Sequence, residues 1–142
     1  MISLIQNKIA EISVSYSTNI PSKDRLKLTG SQQVADAARS FFTNIDYREC
    51  FYALYLNRAN HVLGFFLVSA GGLTGTVVDQ RMIFQVALKC NAHSIILLHN
   101  HPSGNLSPSQ ADIDTTKKLK SSSTLLEIPI LDHLIITSDA YY

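Results

Sequence analysis

His99 and His101 stand two residues apart at the end of the apolar run from Ser94 to Leu98. On extended backbone, side chains two apart point to the same side, so both imidazoles can face one point. Strand carboxyl ends are also where open α/β sheets bind ligands. The pair alone fits equally well two histidines held by backbone partners. In the next segment Pro102, Ser103 and Gly104 turn the chain, and Pro108 starts a helix bearing Ser109 and Asp112. A helix doubled back on the strand end can present Asp112 to the same point. Two neutral imidazoles and a carboxylate form a catalytic zinc set, in which three protein ligands leave a fourth tetrahedral position for water. Ser109 and Asp112 also have a second reading, a capping box with serine at the cap and an acid three residues on. Spacing leaves both open.

These residues need elements to position them. Ile12, Val14 and Tyr16 alternate with Ser13 and Ser15, the period of a half-buried strand. Ser31 opens a segment whose apolar residues Val34, Ala37, Ala38, Phe41, Phe42 and Ile45 follow helical spacing. The runs from Phe51 to Leu56 and from Val62 to Ser69, with turn residues at 57–60 between them, predict a hairpin. Gly71, Gly72 and Gly75 loosen the next stretch. Asp79 then caps a helix with Ile83, Val86, Ala87 and Cys90 on its apolar face, ending near Asn91. The run from Ser94 to Leu98 is nearly continuous, as in a strand covered on both faces. Ser107 is expected to cap the following helix, with Pro108 in its first turn. That helix runs toward Lys120 and is stopped by Ser121 to Thr124, and a last strand spans Ile130 to Thr137. Two-residue and helical periods alternate, which predicts an α/β domain over residues 1–142, with a leading strand and helix in 1–47 and the core in 48–142.

A chain of 142 residues with 46% hydrophobic and 16% charged composition can bury one compact core and lacks the signature of disorder. The net charge is +1, and the densest basic cluster is Lys117, Lys118 and Lys120, so direct nucleic-acid binding is not expected. Lys8 and Glu11 interrupt the apolar residues at the start, and no run reaches transmembrane length. Cys50 and Cys90 lack CxxC spacing, which suits packed thiols in a reducing compartment and predicts a cytoplasmic protein.

The residues His99-Asn100-His101-Pro102, followed by Ser109-Gln110-Ala111-Asp112, resemble the JAB/MPN (JAMM) metalloprotease motif, HxHP then SxxD. The fuller string HNHPSGNLSPSQAD, with Leu131, Asp132 and His133 further on, is similar to the bacterial RadC family, over roughly Arg48 to the end. The resemblance implies a three-layer α/β fold of JAB/MPN (cytidine-deaminase-like) type, a mixed sheet flanked by helices, with one zinc ion held by His99, His101 and Asp112. It also implies a general base at Glu49, because Arg48-Glu49-Cys50-Phe51 fits the family's Arg-Glu-x-Phe pattern. From the residues alone Glu49 reads as an ordinary strand-end acid. The implied activity is metal-assisted hydrolysis of a peptide or isopeptide bond in an unidentified peptide or protein, with Ser109 donating to the developing oxyanion. Relatives run a short way past Tyr141 and Tyr142, so the resemblance also implies a closing segment missing from this chain.

Among the other residues, His61 is expected to be exposed after the hairpin turn and His93 to sit at a helix-to-strand turn. His133 reads as a core histidine or an orienter near the site. Cys90 is expected in the core, Cys50 on the side opposite Glu49, and Asn100 facing away from the histidines and bonded to loop backbone. Two histidines and a carboxylate also describe non-haem iron oxygenases, but the alternation of helices with strands argues against that class. A zinc nucleoside deaminase would need HxE and PCxxC, both missing here. The letters HNH do not match the nuclease of that name, whose residues stand far apart. Two alternatives remain: a JAB-like module that binds a partner without catalysis, and a role in DNA repair of the RadC kind. With one strand and one helix expected in residues 1–47, a repair role would run through partners.

Overall fold

The computed structural model describes residues 9–13, 15–18, 20–42, 45–71 and 77–142. In chain order the elements are helix α1 (Ser31–Arg39), strands β1 (Cys50–Leu56) and β2 (Val62–Ala70), helix α2 (Gln80–Lys89), strand β3 (Ser94–Asn100), helix α3 (Gln110–Leu126) and strand β4 (Ile130–Ile136). The strands form one sheet in the order β2-β1-β3-β4. It is mixed, because β1 runs antiparallel to β2 and β3 while β3 and β4 are parallel. All seven residues of β3 are buried, as its continuous apolar run requires.

Strand alternation divides the core in two. Phe51, Ala53, Tyr55, Ile95 and Leu97 point to one face, against Ile83, Phe84 and Ala87 of α2 and Leu119 of α3. Tyr52, Leu54, Leu56, Ile96 and Leu98 point to the other, against Val34 and Ala38 of α1 and Phe42 beyond it. Helices thus cover both faces, giving the three-layer α/β arrangement that the resemblance implies.

Four expectations change. Ile12, Ser13, Ser15 and Tyr16 form no strand, and Val14 lies outside the described residues. Ile12 is 87% exposed, so the alternation there has no core to face. Helix α1 ends at Arg39 rather than reaching Ile45, because Ser40 and Phe41 tighten onto the carbonyls of Ala37 and Ala38. Phe41 and Phe42 then pack against Tyr52 with ring centroids 5.0 and 4.8 Å away. The cap of α3 is Ser109, not Ser107, so Pro108 precedes the helix. Ser121 to Thr124 do not stop α3. Their hydroxyls bond back to the carbonyls of Lys117, Lys118 and Lys120, and the helix runs on to Leu126 before Glu127 adopts φ 59°. Asp79 caps α2 as expected, accepting from the Arg81 N–H. Gly72 and Gly75 lie outside the described residues.

Candidate metal centre

The face toward α2 and α3 inherits the odd-numbered residues of β3, so His99 emerges beside Leu97, 1% exposed. His101 follows two residues on. Its N–H bonds to the Ile136 carbonyl, and its own carbonyl accepts from Gly104, whose φ of 82° lets the chain turn back. That turn brings the start of α3 over the strand end. Glu49 arrives by another route. Antiparallel pairing sets Phe51 opposite His99, and continuing that register by two residues sets Glu49 opposite His101.

The donor atoms converge. His99 Nε2 lies 2.9 Å from His101 Nε2 and 3.3 Å from Asp112 Oδ1, and His101 Nε2 lies 3.2 Å from Asp112 Oδ2. With bonds of about 2.0–2.1 Å, neighbouring ligands of a tetrahedral cation stand about 3.3 Å apart. The two imidazole nitrogens and the Asp112 carboxylate are therefore spaced close to what such a cation needs. One ligand atom from each of Glu49, His99, His101 and Asp112 lies within 4.8 Å of the others, a group able to hold a metal ion.

Hydrogen bonds fix which imidazole nitrogens are free. The Asn105 carbonyl, 2.7 Å from His101 Nδ1, can only accept, so Nδ1 carries the proton and Nε2 keeps its lone pair. A longer chain does the same for His99. The Thr116 hydroxyl donates to the Asp112 carbonyl at 2.8 Å, so it accepts from His133 Nδ1 at 2.6 Å. His133 Nε2 then accepts from His99 Nδ1 at 2.8 Å, which leaves the lone pair of His99 Nε2 facing Asp112. Phe51 stacks on His99 and meets His133 edge-on, walling the imidazoles from water.

Charge follows burial. Burial lowers the His99 pKa to about 4, partly opposed by Asp112 and aided by a smaller push from His101, and burial lowers His133 to about 3. Burial alone would raise the Asp112 carboxyl. The Ser109 N–H and the two imidazoles outweigh it and hold that carboxyl below its ordinary value. At neutral pH a neutral His99 imidazole thus faces an ionised Asp112 carboxylate, protonation states that metal binding needs. Burial raises Glu49, opposed by His101 and reinforced by Asp112.

The structure brings His99, His101, Asp112 and Glu49 together, and Asp112 forms the cap while its carboxylate also faces the imidazoles. Its carboxylate accepts from the Ser109 N–H at 2.8 Å while its own N–H donates to Ser109 Oγ at 3.1 Å, a complete capping box. Ser109 lies at the rim, exposed. The site reading from sequence omitted His133, Thr116 and Asn105. His133 had one signal, its likeness to the family, whereas its place beside Leu97 depends on the parallel register with β3. His61 is half-buried rather than exposed, because its backbone bridges to Lys27. His93 is exposed just ahead of β3, Cys90 is buried, and Asn100 bonds to loop backbone on the far side of the sheet.

The model of the RadC-like JAB domain family matches residues 28–142, which include every residue of this centre. The chain belongs to that family. Proteins named UPF0758 are similar to it: one from Flavobacterium johnsoniae is 43% identical over 116 residues, covering 82% of this chain and 50% of its own length. Another from Chlorobaculum parvum is 40% identical over 116 residues, 82% of this chain and 52% of the relative. A third, from Staphylococcus carnosus, is 39% identical over 124 residues, 87% and 54%. The chain spans about half the length of the curated relatives it matches. Its RadC-like JAB domain and its cluster of possible ligands together fit a JAMM-like metallohydrolase. Among the described residues no helix is long and apolar enough to cross a membrane.

Proposed function

We propose that this RadC-like domain is a zinc-dependent hydrolase that cleaves an amide bond, peptide or isopeptide, in a peptide or protein substrate. Its metal ligands are His99 Nε2, His101 Nε2 and the Asp112 carboxylate. The observation that carries this reading is the convergence of one ligand atom from each of His99, His101 and Asp112 with the Glu49 carboxylate, all within 4.8 Å of one another. A structural metal site would fill its fourth position with another firm ligand, whereas a half-buried acid beside three ligands suits a reacting water.

Zinc, when bound, supplies the Lewis acidity that lowers the pKa of a water molecule and polarises the substrate carbonyl. Glu49 would take a proton from the attacking water and deliver it to the leaving nitrogen as the C–N bond breaks. Burial raises its pKa and so makes it a better proton acceptor than an ordinary carboxylate. Ser109 Oγ accepts from the Asp112 N–H, which leaves its own proton free to donate to the developing oxyanion. Thr116 and His133 hold His99 in the tautomer the ligand role requires. The free thiols of Cys50 and Cys90 support a reducing, cytoplasmic setting.

The test compares zinc-loaded wild type with Glu49→Gln against a mixed peptide pool read by mass spectrometry. Cleavage by wild type and loss of at least about 100-fold in the variant are expected. Equal cleavage by both would remove Glu49 from the reaction, and none by either would remove the hydrolase reading for peptides.

A further inference from the structure

We propose that Asn100, the residue between the two histidines, is a positioning residue for Glu49. Through three hydrogen bonds it holds residues 45–50 so that the Glu49 carboxylate stands at the metal centre. The proposal rests on Glu49 acting as the base. Strand alternation sends Asn100 to the sheet face opposite His99 and His101, where it is 0% exposed. There its Oδ1 accepts from the Cys50 N–H at 2.7 Å, and its Nδ2 donates to the carbonyls of Ile45 and Arg48, both at 2.8 Å. Both amide protons and the amide oxygen are thus used, which fixes the orientation of the group.

The placing of these bonds gives them their consequence. The paired register of β1 with β3 stops at Phe51 and His99, one position short of Cys50. Beyond it the Asn100 side chain takes over the work of a strand partner and grips the backbone on both sides of Glu49, at Arg48 and at Cys50. A second tie comes from the end of β2: Gly71 N–H donates to the Glu49 carbonyl at 2.8 Å, and Arg48 Nε donates to the Gly71 carbonyl at 2.9 Å. One strand end therefore presents His99 and His101 on the face where Glu49 also stands, and from the other face, through Asn100, grips the backbone that carries Glu49. Aspartate could not replace Asn100, since it would turn an acceptor toward two carbonyls, and leucine would leave all three backbone groups without this partner.

The experiment uses Asn100→Ala and Asn100→Ser, with Glu49→Gln and the Asn100→Ala/Glu49→Gln double variant. Cobalt(II) serves as the probe, its affinity measured by chelator competition and its surroundings by the visible absorption spectrum. Amide hydrogen exchange over residues 45–50 reports the grip on the segment. Cobalt affinity is expected to change well under the roughly 10-fold that follows loss of a group supporting a ligand. The spectrum of Asn100→Ala should move to that of Glu49→Gln, and the double variant should add nothing. The Cys50 amide should exchange at least about 10-fold faster.

A wild-type spectrum in Asn100→Ala, or cobalt affinity lost in parallel, would overturn the proposal, and so would failure of both Asn100 variants to fold. If Glu49→Gln leaves the spectrum unchanged, the base assignment fails instead. Exchange at Cys50 then decides alone whether Asn100 holds the segment.

Discussion

Asp112 is asked to do two jobs, and two substitutions separate them. Its backbone N–H and carboxylate both bond Ser109 to close the first turn of α3, while Oδ1 and Oδ2 face the imidazoles. Asp112→Ala removes the carboxylate half of the cap and an acid from a helix N-terminus, together about 1–2 kcal/mol in the metal-free protein. Asp112→Asn keeps an acceptor for the Ser109 N–H, so its metal-free cost stays under about 1 kcal/mol. With zinc at about 100 times its dissociation constant, wild type gains about 3 kcal/mol. At roughly 2–4 °C per kcal/mol for a chain of this size, that is an upward shift of about 6–12 °C in Tm. Thermal unfolding by circular dichroism, in chelator and then in zinc, reads both effects. Neither variant should show the zinc shift, and only Asp112→Ala should start clearly lower. A zinc shift of wild-type size in Asp112→Asn would reduce Asp112 to a helix cap and refute its role as a ligand.

Thr116→Val should weaken zinc binding by about 10- to 100-fold, since it removes the hydroxyl that sets His133 and through it His99. Thr116→Ser should restore it, and chelator competition measures both. An unaltered affinity in the valine variant would break the proposed chain of tautomers. Folding holds His99 and His133 neutral well below the ordinary imidazole value of 6.5. The unfolded chain therefore binds more protons in that range, and the metal-free protein should lose stability as pH falls from 6.5 toward 4. With both imidazoles counted, the slope reaches up to roughly 3 kcal/mol per pH unit. Urea midpoints at pH 7, 6 and 5 test this, and a rise on acidification would contradict it. Ser109→Ala should keep the metal, cost about 1 kcal/mol of stability through the lost cap, and slow any hydrolysis by about 100-fold.

Much of the centre was legible because its parts are local. A continuous apolar run ending in His99 and His101 announces a buried strand with two donors on one side, and SxxD places Asp112 at a helix start whichever of its jobs is considered. Glu49 could not be found that way. It stands 50 residues before His99 in the sequence, and what joins them is the antiparallel register of β1 on β3, which no local pattern encodes. Only the likeness of Arg48-Glu49-Cys50-Phe51 to a family pattern pointed to it.

His133 escaped for the same reason in parallel form, since it meets His99 only because β4 lies beside β3. Errors at element ends have simpler causes. Ser121 to Thr124 look like breakers in sequence, yet serine and threonine hydroxyls can bond back to the preceding turn and remain helical. Ser107-Pro108 looked like a helix start, but the reciprocal Ser109–Asp112 bonds set the start two residues later. The alternation from Ile12 to Tyr16 shows that period alone does not make a strand where no core awaits it.

The most direct test is elemental analysis of the purified chain after zinc loading and gel filtration, alongside Glu49→Gln and Asp112→Ala. The account predicts about one zinc per chain in wild type and in Glu49→Gln, and almost none in Asp112→Ala. Zinc retained at the wild-type level by Asp112→Ala, or none taken up by wild type, would contradict it.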